Sequence, residues 1–328
     1  MPRSLLPSVR SVRRTLLLAF TLAPLLPAIA QDWPARPITV VVPFPAGGGT
    51  DVVVRALQPA LQKALGQPLV IDNRGGAGGT IGSGLVAKAV ADGYTVGVAT
   101  TSTHAVSPAV YRRLPYDPAK DFAWAGMIGV SPYVLVVHPD MKVTDLKGFV
   151  AALNARPEGA SFASVGAGTV SHLLGEKFKP LVKTPLVHVP YRGAAPAYTD
   201  LIGGQVQFLF DNPVGLVSHI RSGKVTAVAT TGPNALLAGV PTFAQVGVPG
   251  FDQSLWYGFA FPKGTPRQVV ERFNRALNAV LADRAVSADL AAKGVNTTPG
   301  TPEAMQRAVA HDIPFWGGIA RAAGVSPE

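Results

Sequence analysis

Short apolar, β-branched runs recur along the chain at Ile38 to Val42, Leu69 to Ile71, Thr95 to Ala99, Tyr133 to Val137, Leu186 to Val189, Val206 to Phe210 and Val225 to Ala229. Runs of this length and composition read as buried strands. The segments between them have helical length and spacing; Val53, Leu57, Leu61 and Leu65, for example, mark one helix face. Strand and helix in alternation, with short joins rich in Gly, Asp and Pro, predict an α/β protein whose sheets are mostly parallel and flanked by helices. Pro59 falls inside the first helical pattern and predicts a kink or break there. Gly126 to Pro132 reads as a turn-rich join that could serve as a crossover. Near the end, Thr265-Pro266-Arg267-Gln268 combines a capping Thr, Pro at the first helical position and a capping-box Gln before an apolar stripe. Thr301-Pro302 opens another helix, read to about Ala310.

The N-terminus follows a different pattern. Arg3, Arg10, Arg13 and Arg14 precede an apolar run from Leu16 to Leu26, closed by Ala28-Ile29-Ala30. A basic start, a short apolar core and small residues at the cut describe a secretory signal peptide over residues 1–30, with Gln31 as the mature start. A twin-arginine signal and a retained anchor are the alternatives. The expected location is therefore the periplasm. No later stretch is continuously apolar over a membrane-spanning length of about 18 residues.

Composition sharpens this picture. The chain has 29 Lys+Arg and 19 Asp+Glu. Four of the basic residues and none of the acidic ones lie in the leader, which leaves 25 against 19, a net +6. Much of the basicity therefore belongs to targeting, and without a basic stripe or an aromatic RNA-binding motif no nucleic-acid partner is expected. Cysteine is absent, so the exported protein must be held by core packing, and thiol catalysis and Cys-type metal sites are excluded. A length of 328 residues at 48 % hydrophobic composition suits two domains.

Three glycine-rich loops carry the candidate chemistry. After the first strand comes Pro43-Phe44-Pro45-Ala46-Gly47-Gly48-Gly49-Thr50-Asp51, with Thr50 or Asp51 capping the helix that follows. Glycines permit close backbone approach, and free N–H groups at a helix start favour an anion. Asn73-Arg74-Gly75-Gly76-Ala77-Gly78-Gly79-Thr80 repeats the device after the second strand. Ser164-Val165-Gly166-Ala167-Gly168-Thr169-Val170-Ser171-His172 is the third, with hydroxyls beside exposed N–H groups. Tyr191-Arg192-Gly193 and Asp211-Asn212 also follow strands, where ligands of open α/β sheets gather. Arg192 reads either as a carboxylate partner or as a surface charge. Asp211 reads either as a partner for a ligand amine or hydroxyl or as a brace for loop backbone.

Nucleotide and enzyme readings find little support. The loops lack the glycine spacing of a dinucleotide fingerprint and the Gly-Lys-Ser/Thr of a phosphate loop. There is no Gly-x-Ser-x-Gly elbow or His-Glu-x-x-His, and the six histidines show no metal-ligand spacing in sequence. His172 beside Ser171 is the one pair of interest, yet adjacent helical residues do not face each other. The expectation is a binding protein with no catalytic residue, metal or cofactor; an enzyme using Ser171, His172 or Asp211 on a carboxylate is the competing class.

The motifs together resemble the tripartite tricarboxylate transporter receptor family, the Bug-type periplasmic solute-binding proteins. The likeness runs through WPARPI, PFPAGGGTD, LGQPLVIDNR, GAGGTIG, LPYDP, SVGAGTVSHL, HVPYRGAAPAYTDLIGGQV and FPKGTP, in the family's order. The resemblance implies a type II periplasmic binding fold of two lobes that close over one small ligand. It implies a discontinuous first lobe of residues 31–130 plus 251–328, with residues 131–250 as the second. It also implies ligand contacts at Phe44, Ala46, Gly47, Gly48, Gly49 and Thr50, at Gly76, Ala77, Gly78 and Gly79, and at Ser164, Gly166, Gly168, Thr169 and Ser171. Tyr191, Gly193 and Asp211 match positions near the pocket. The implied ligand is a small carboxylate, a dicarboxylate first, and the implied partner of the monomer is a tripartite membrane permease or a sensor kinase. Gly75 stands where the family usually has Pro.

Overall fold

The computed structural model describes residues 33–325 and 327; the leader reading lies outside them. Strand β1 (Ile38–Val42) leads into helix α1 (Gly49–Leu65), strand β2 (Leu69–Asn73), helix α2 (Thr80–Ala87) and strand β3 (Thr95–Thr100). β2 and β3 both pair parallel with β1, Ile38 opposite Leu69 and Thr39 opposite Thr95. Parallel neighbours start at the same end, so each join must cross back as a helix. β1 can be a plain Val/Ile run because Ile38, Val40, Val41 and Val42 are all buried. α1 buries the expected face of Val53, Leu57, Leu61 and Leu65, and it continues through Pro59. Arg55 and Pro59 are both exposed, so water can reach the Arg55 carbonyl that Pro59 cannot bond.

A π turn over Ser102–Val106 and helix α3 (Ser107–Val110) precede strand β4 (Phe122–Pro132). The chain then builds strand β5 (Val134–Val137), helix α4 (Leu146–Asn154), strand β6 (Ala160–Ser164), helix α5 (Val170–Phe178), strand β7 (Leu186–Pro190), helix α6 (Ala194–Ile202), strand β8 (Phe208–Asp211), helix α7 (Pro213–Arg221) and strand β9 (Thr226–Thr230). It returns as strand β10 (Ser254–Pro262), followed by helices α8 (Arg267–Ala282) and α9 (Arg284–Ala291), strand β11 (Asn296–Thr297) and helix α10 (Pro302–Ala322). Two sheets result, ordered β11-β4-β10-β3-β1-β2 and β7-β6-β8-β5-β9. Each is the centre of one lobe.

The expected parallel pairing holds for β2-β1-β3 and β7-β6-β8, and antiparallel strands complete both sheets, which makes them mixed. The reason is connectivity. β4 carries the chain out of the first sheet and β10 brings it back, so the two run side by side in opposite directions, Ser254 opposite Pro132 and Pro262 opposite Phe122. Thr231 fastens the crossing: its Oγ1 accepts the Tyr133 N–H (2.8 Å) and donates to the Gln253 carbonyl (2.6 Å).

Gly126 to Pro132 is thus strand rather than a turn-rich join. Its glycines answer close approaches, since a Cβ at Gly129 would sit 2.4 Å from the Asn296 carbonyl of β11. Thr265 is not the cap of α8, because its hydroxyl donates to the Pro262 carbonyl (2.8 Å) and the helix starts at Arg267. α10 runs past Ala310 to Ala322, because Trp316 and Ala320 extend its buried face. No described helix is long and apolar enough to cross a membrane.

Candidate functional site: a cleft between the lobes

The carboxyl ends of β1, β3, β6 and β8 converge on one cleft, the place an open α/β fold reserves for ligands. It is lined by Phe44, Pro45, Gly48, Gly49, Thr50, Thr100, Ser102, Tyr133, Val165, Ala194, Asp211, Asn212 and Leu255. Helix starts reach it from both lobes, α1 at Gly49 and Thr50 and α6 at Ala194, whereas α7 meets it only at its cap, Asn212, whose N–H is bonded to Asp211. Unbonded N–H groups and the positive ends of these helices make the cleft receptive to an anion. Among the described residues, no Lys, Arg or His lines it.

A second cavity of about 240 Å³ adjoins it across Phe44, Pro45 and Val165, and is lined further by Gly76, Ala77, Gly78, Gly79, Tyr111, Gly166, Ala167, Pro190, Tyr191, Arg192 and Gly193. The three predicted loops therefore meet at this seam but divide between two spaces.

The predicted residues separate accordingly. Phe44, Gly48, Gly49, Thr50 and Asp211 line the cleft; Gly76, Ala77, Gly78, Gly79, Gly166, Tyr191 and Gly193, with Phe44 again, line the outer cavity. Ala46 and Gly47 are exposed and line neither. Ser164, Gly168, Thr169 and Ser171 also line neither, because their polar groups serve the loop itself. Ser164 Oγ bonds His188 Nε2 (2.7 Å), and the Gly168 N–H donates to His172 Nδ1 (3.3 Å). Thr169 caps α5, accepting the His172 N–H (3.4 Å) and donating to the Gly166 carbonyl (2.7 Å), while Ser171 Oγ donates to the Phe210 carbonyl. The first loop is braced likewise. Asp51 accepts the Gly47 N–H (2.9 Å) and Asn73 donates to the Phe44 carbonyl (3.1 Å), so Gly48, and neither Thr50 nor Asp51, stands at the cap of α1. Gly75 is packed tight, since a Cβ there would lie 2.9 Å from Pro45 Cδ.

Among the described residues, Asp211 is the only ionisable carboxylate in the lining, and it is 3 % exposed. Its Oδ2 accepts the Tyr198 hydroxyl (2.6 Å), and its Oδ1 accepts the Asn212 N–H (2.8 Å) and Nδ2 (3.0 Å). Burial without a cationic partner raises its pKa to about 6, against the lowering effect of those bonds.

The lobes touch across the cleft. Tyr111 Oη donates to the Ala167 carbonyl (2.8 Å), and the Val170 N–H donates to Ser102 Oγ (3.2 Å). Gly49 lies against Asn212, and Gly193 against Pro45, each with no room for a Cβ.

Folding also brings His172, Glu176 and His188 together, with ligand atoms within 4.8 Å of one another, a cluster the sequence spacing did not reveal. The two imidazoles stack face to face at 4.0 Å and 12°. Lone pairs of stacked rings run parallel rather than converging, so one ion cannot lie in both ring planes in this arrangement. Glu176 is engaged by Lys179 (2.7 Å), and burial, then the neighbouring His172, lowers the His188 pKa to about 3. The cluster packs the third loop against β7.

Thr100, Ser102, Tyr133 and Leu255 are cleft residues that sequence reasoning did not assign, while Asn212 was singled out with Asp211 but given no role. The hydroxyl-rich run Thr100-Thr101-Ser102-Thr103 at the end of a predicted strand was the available signal for two of them. Tyr133 and Leu255 sit on the crossing segments, which only the folded topology brings to the cleft.

Two lobes on mixed sheets, joined by paired crossing strands and enclosing an anion-receptive cleft, define a periplasmic binding protein fold. Residues 53–325 match the tripartite tricarboxylate transporter family receptor, and the chain belongs to that family. It is 38 % identical to Protein BugT of Bordetella pertussis over 91 % of this chain and 92 % of that one. The solved periplasmic binding protein BugD is similar at 34 % identity and a TM-score of 0.86, covering 90 % of this chain and 100 % of that one. A solved R. palustris protein, Rpa4515 with adipate, is similar at 36 % identity and a TM-score of 0.87, again over 90 % and 100 %.

Proposed function

We propose that this protein is exported to the periplasm, closes its two lobes over a small carboxylate, with dicarboxylates favoured, and presents that closed form to a tripartite membrane permease. The observation that carries the reading is the cleft itself: helix starts from both lobes aim at a space lined by hydroxyls and backbone, without a nucleophile-base pair. Membership of a solute-receptor family and the adipate in a solved relative support it. The lobes are taken as residues 31–130 plus 251–328 and residues 131–250, hinged where β4 and β10 run together. The ligand carboxylate sits at Gly48, Gly49 and Thr50, with Phe44 and the Gly76 to Gly79 and Gly166 turns closing the seam. The protein acts as a monomer and returns its ligand unchanged.

A thermal-shift screen of the protein purified from the periplasm, against mono-, di- and tricarboxylates, amino acids and aromatic acids, tests this. The expected result is saturable stabilisation by a carboxylate that mass analysis recovers intact. Turnover of that acid, or stabilisation by no carboxylate, would remove the proposal.

A further inference from the structure

We infer that the acid preferred by this cleft carries a hydrogen-bond donor, an ammonium or hydroxyl group, on the carbon next to the carboxylate that it presents to α1. The inference rests on the carboxylate reading and narrows it.

The cleft has a donor side and an acceptor side. On the donor side is the start of α1. On the acceptor side are Asp211 and Asn212, the last residue of β8 and the cap of α7. A carboxylate offers about four lone-pair positions; Asp211 has two N–H groups on Oδ1 and one hydroxyl on Oδ2, so one position on Oδ2 remains. Asn212 gives its Nδ2 to Asp211, which leaves its Oδ1 as the other acceptor. That oxygen is buried and has no hydrogen-bond partner among the described residues.

Both acceptors belong to residues that line the cleft and are at most 6 % exposed. An unpaired buried acceptor is costly, and a ligand donor relieves it. A second carboxylate at the same spot would instead meet two acceptors and a negative charge, with no cationic side chain in the lining to offset them. An ammonium suits the spot best, because it adds the missing positive charge beside Asp211.

The two sides nearly touch: a Cβ on Gly49 would lie 2.6 Å from Asn212 Oδ1. A ligand whose carboxylate meets the α1 start therefore needs its donor on the adjacent carbon, as in 2-amino and 2-hydroxy acids. A further carboxylate of the same molecule can extend toward the outer cavity, where Arg192 forms part of the wall.

Isothermal titration of the periplasmic protein with two matched series tests this: succinate, malate and aspartate, then glutarate, 2-hydroxyglutarate and glutamate. Within a chain length, the substituted acids should bind about tenfold or more tighter than the unsubstituted one, the size of one charge-assisted hydrogen bond. Asp211→Asn should shrink the preference for the amino acid over the unsubstituted acid. Succinate or glutarate binding as tightly as its substituted counterparts would overturn the inference and leave the carboxylate reading intact. Failure of all six acids, with another unsubstituted carboxylate binding in the thermal-shift screen, would overturn it in the same way. The wild-type series decides the matter even if the Asp211 variant fails to fold.

Discussion

Replacing Gly49 by Ala should weaken ligand binding without harming the lobes that do the binding. Gly49 is the first residue of α1 and has helical backbone angles, so Ala is compatible with its own lobe. A methyl group in the helix gains up to about 1 kcal/mol over Gly there. With the lobes as they meet in the structure, however, the new Cβ would lie 2.6 Å from Asn212 Oδ1, 3.0 Å from Nδ2 and 3.2 Å from Cγ. Ordinary contact begins at 3.4 Å, so the amide must withdraw by about 0.8 Å. Asn212 cannot retreat freely, because its Nδ2 is bonded to Asp211 Oδ1 at 3.0 Å. Overpacking of this kind costs about 1–3 kcal/mol, and only the closed form bears it. Titration with the acid found in the screen should therefore give a Kd roughly five- to hundredfold higher, while the ligand-free melting temperature stays level or rises. Wild-type affinity in the Ala variant would refute the reasoning, as would a drop in ligand-free stability.

Other contacts at the cleft and the crossing yield further measurable effects. Tyr111→Phe removes the hydrogen bond to the Ala167 carbonyl and should cost about 0.5–1.5 kcal/mol of affinity, seen as faster ligand release in stopped-flow fluorescence; unchanged release would count against a closing role. Thr231→Val keeps the side-chain shape but strips the buried partner from both the Tyr133 N–H and the Gln253 carbonyl. Urea unfolding should show a loss of about 1–3 kcal/mol. Asp211 has a folded pKa of about 6 against an ordinary 3.8, so the folded state holds its proton more tightly than the unfolded state does. Its contribution to stability is therefore complete below about pH 4 and is lost as pH rises through about 6, by up to roughly 3 kcal/mol. Relative to the wild type, Asp211→Asn should lose that part of the pH slope in urea titrations between pH 4.5 and 7; an identical slope would exclude Asp211 as its source.

Much of the first lobe could be read directly from residue pattern. β1 and β3 are buried on both faces and so appear as plain apolar runs, and α1 shows its face because only one side is covered. β4 and β10 were harder to see. Gly126, Gly129 and Gly258 interrupt them, and those glycines make sense only beside the partners that crowd them, Asn274, Asn296 and Met305. The candidate site divides in the same way. Gly48, Gly49 and Thr50 were legible because an anion-binding helix start is a local device of a few consecutive residues. Thr169 and Ser171 looked equally suitable, but their hydroxyls are consumed by Gly166 and Phe210 carbonyls, a commitment that sequence spacing does not encode.

By itself, then, the sequence determined an α/β chain of strand-helix units with glycine-rich turns at strand ends, because hydrophobic periodicity and helix-start chemistry are local and act over a few residues. Only the tertiary structure decided which turns share a cavity. It drew Tyr133 and Leu255 into the cleft from the crossing strands, set Asn212 against Gly49, and left Asp211 buried without a cation. Those outcomes depend on strand order and on how the two lobes meet, contacts between residues about 160 positions apart, whose distances no local pattern can specify.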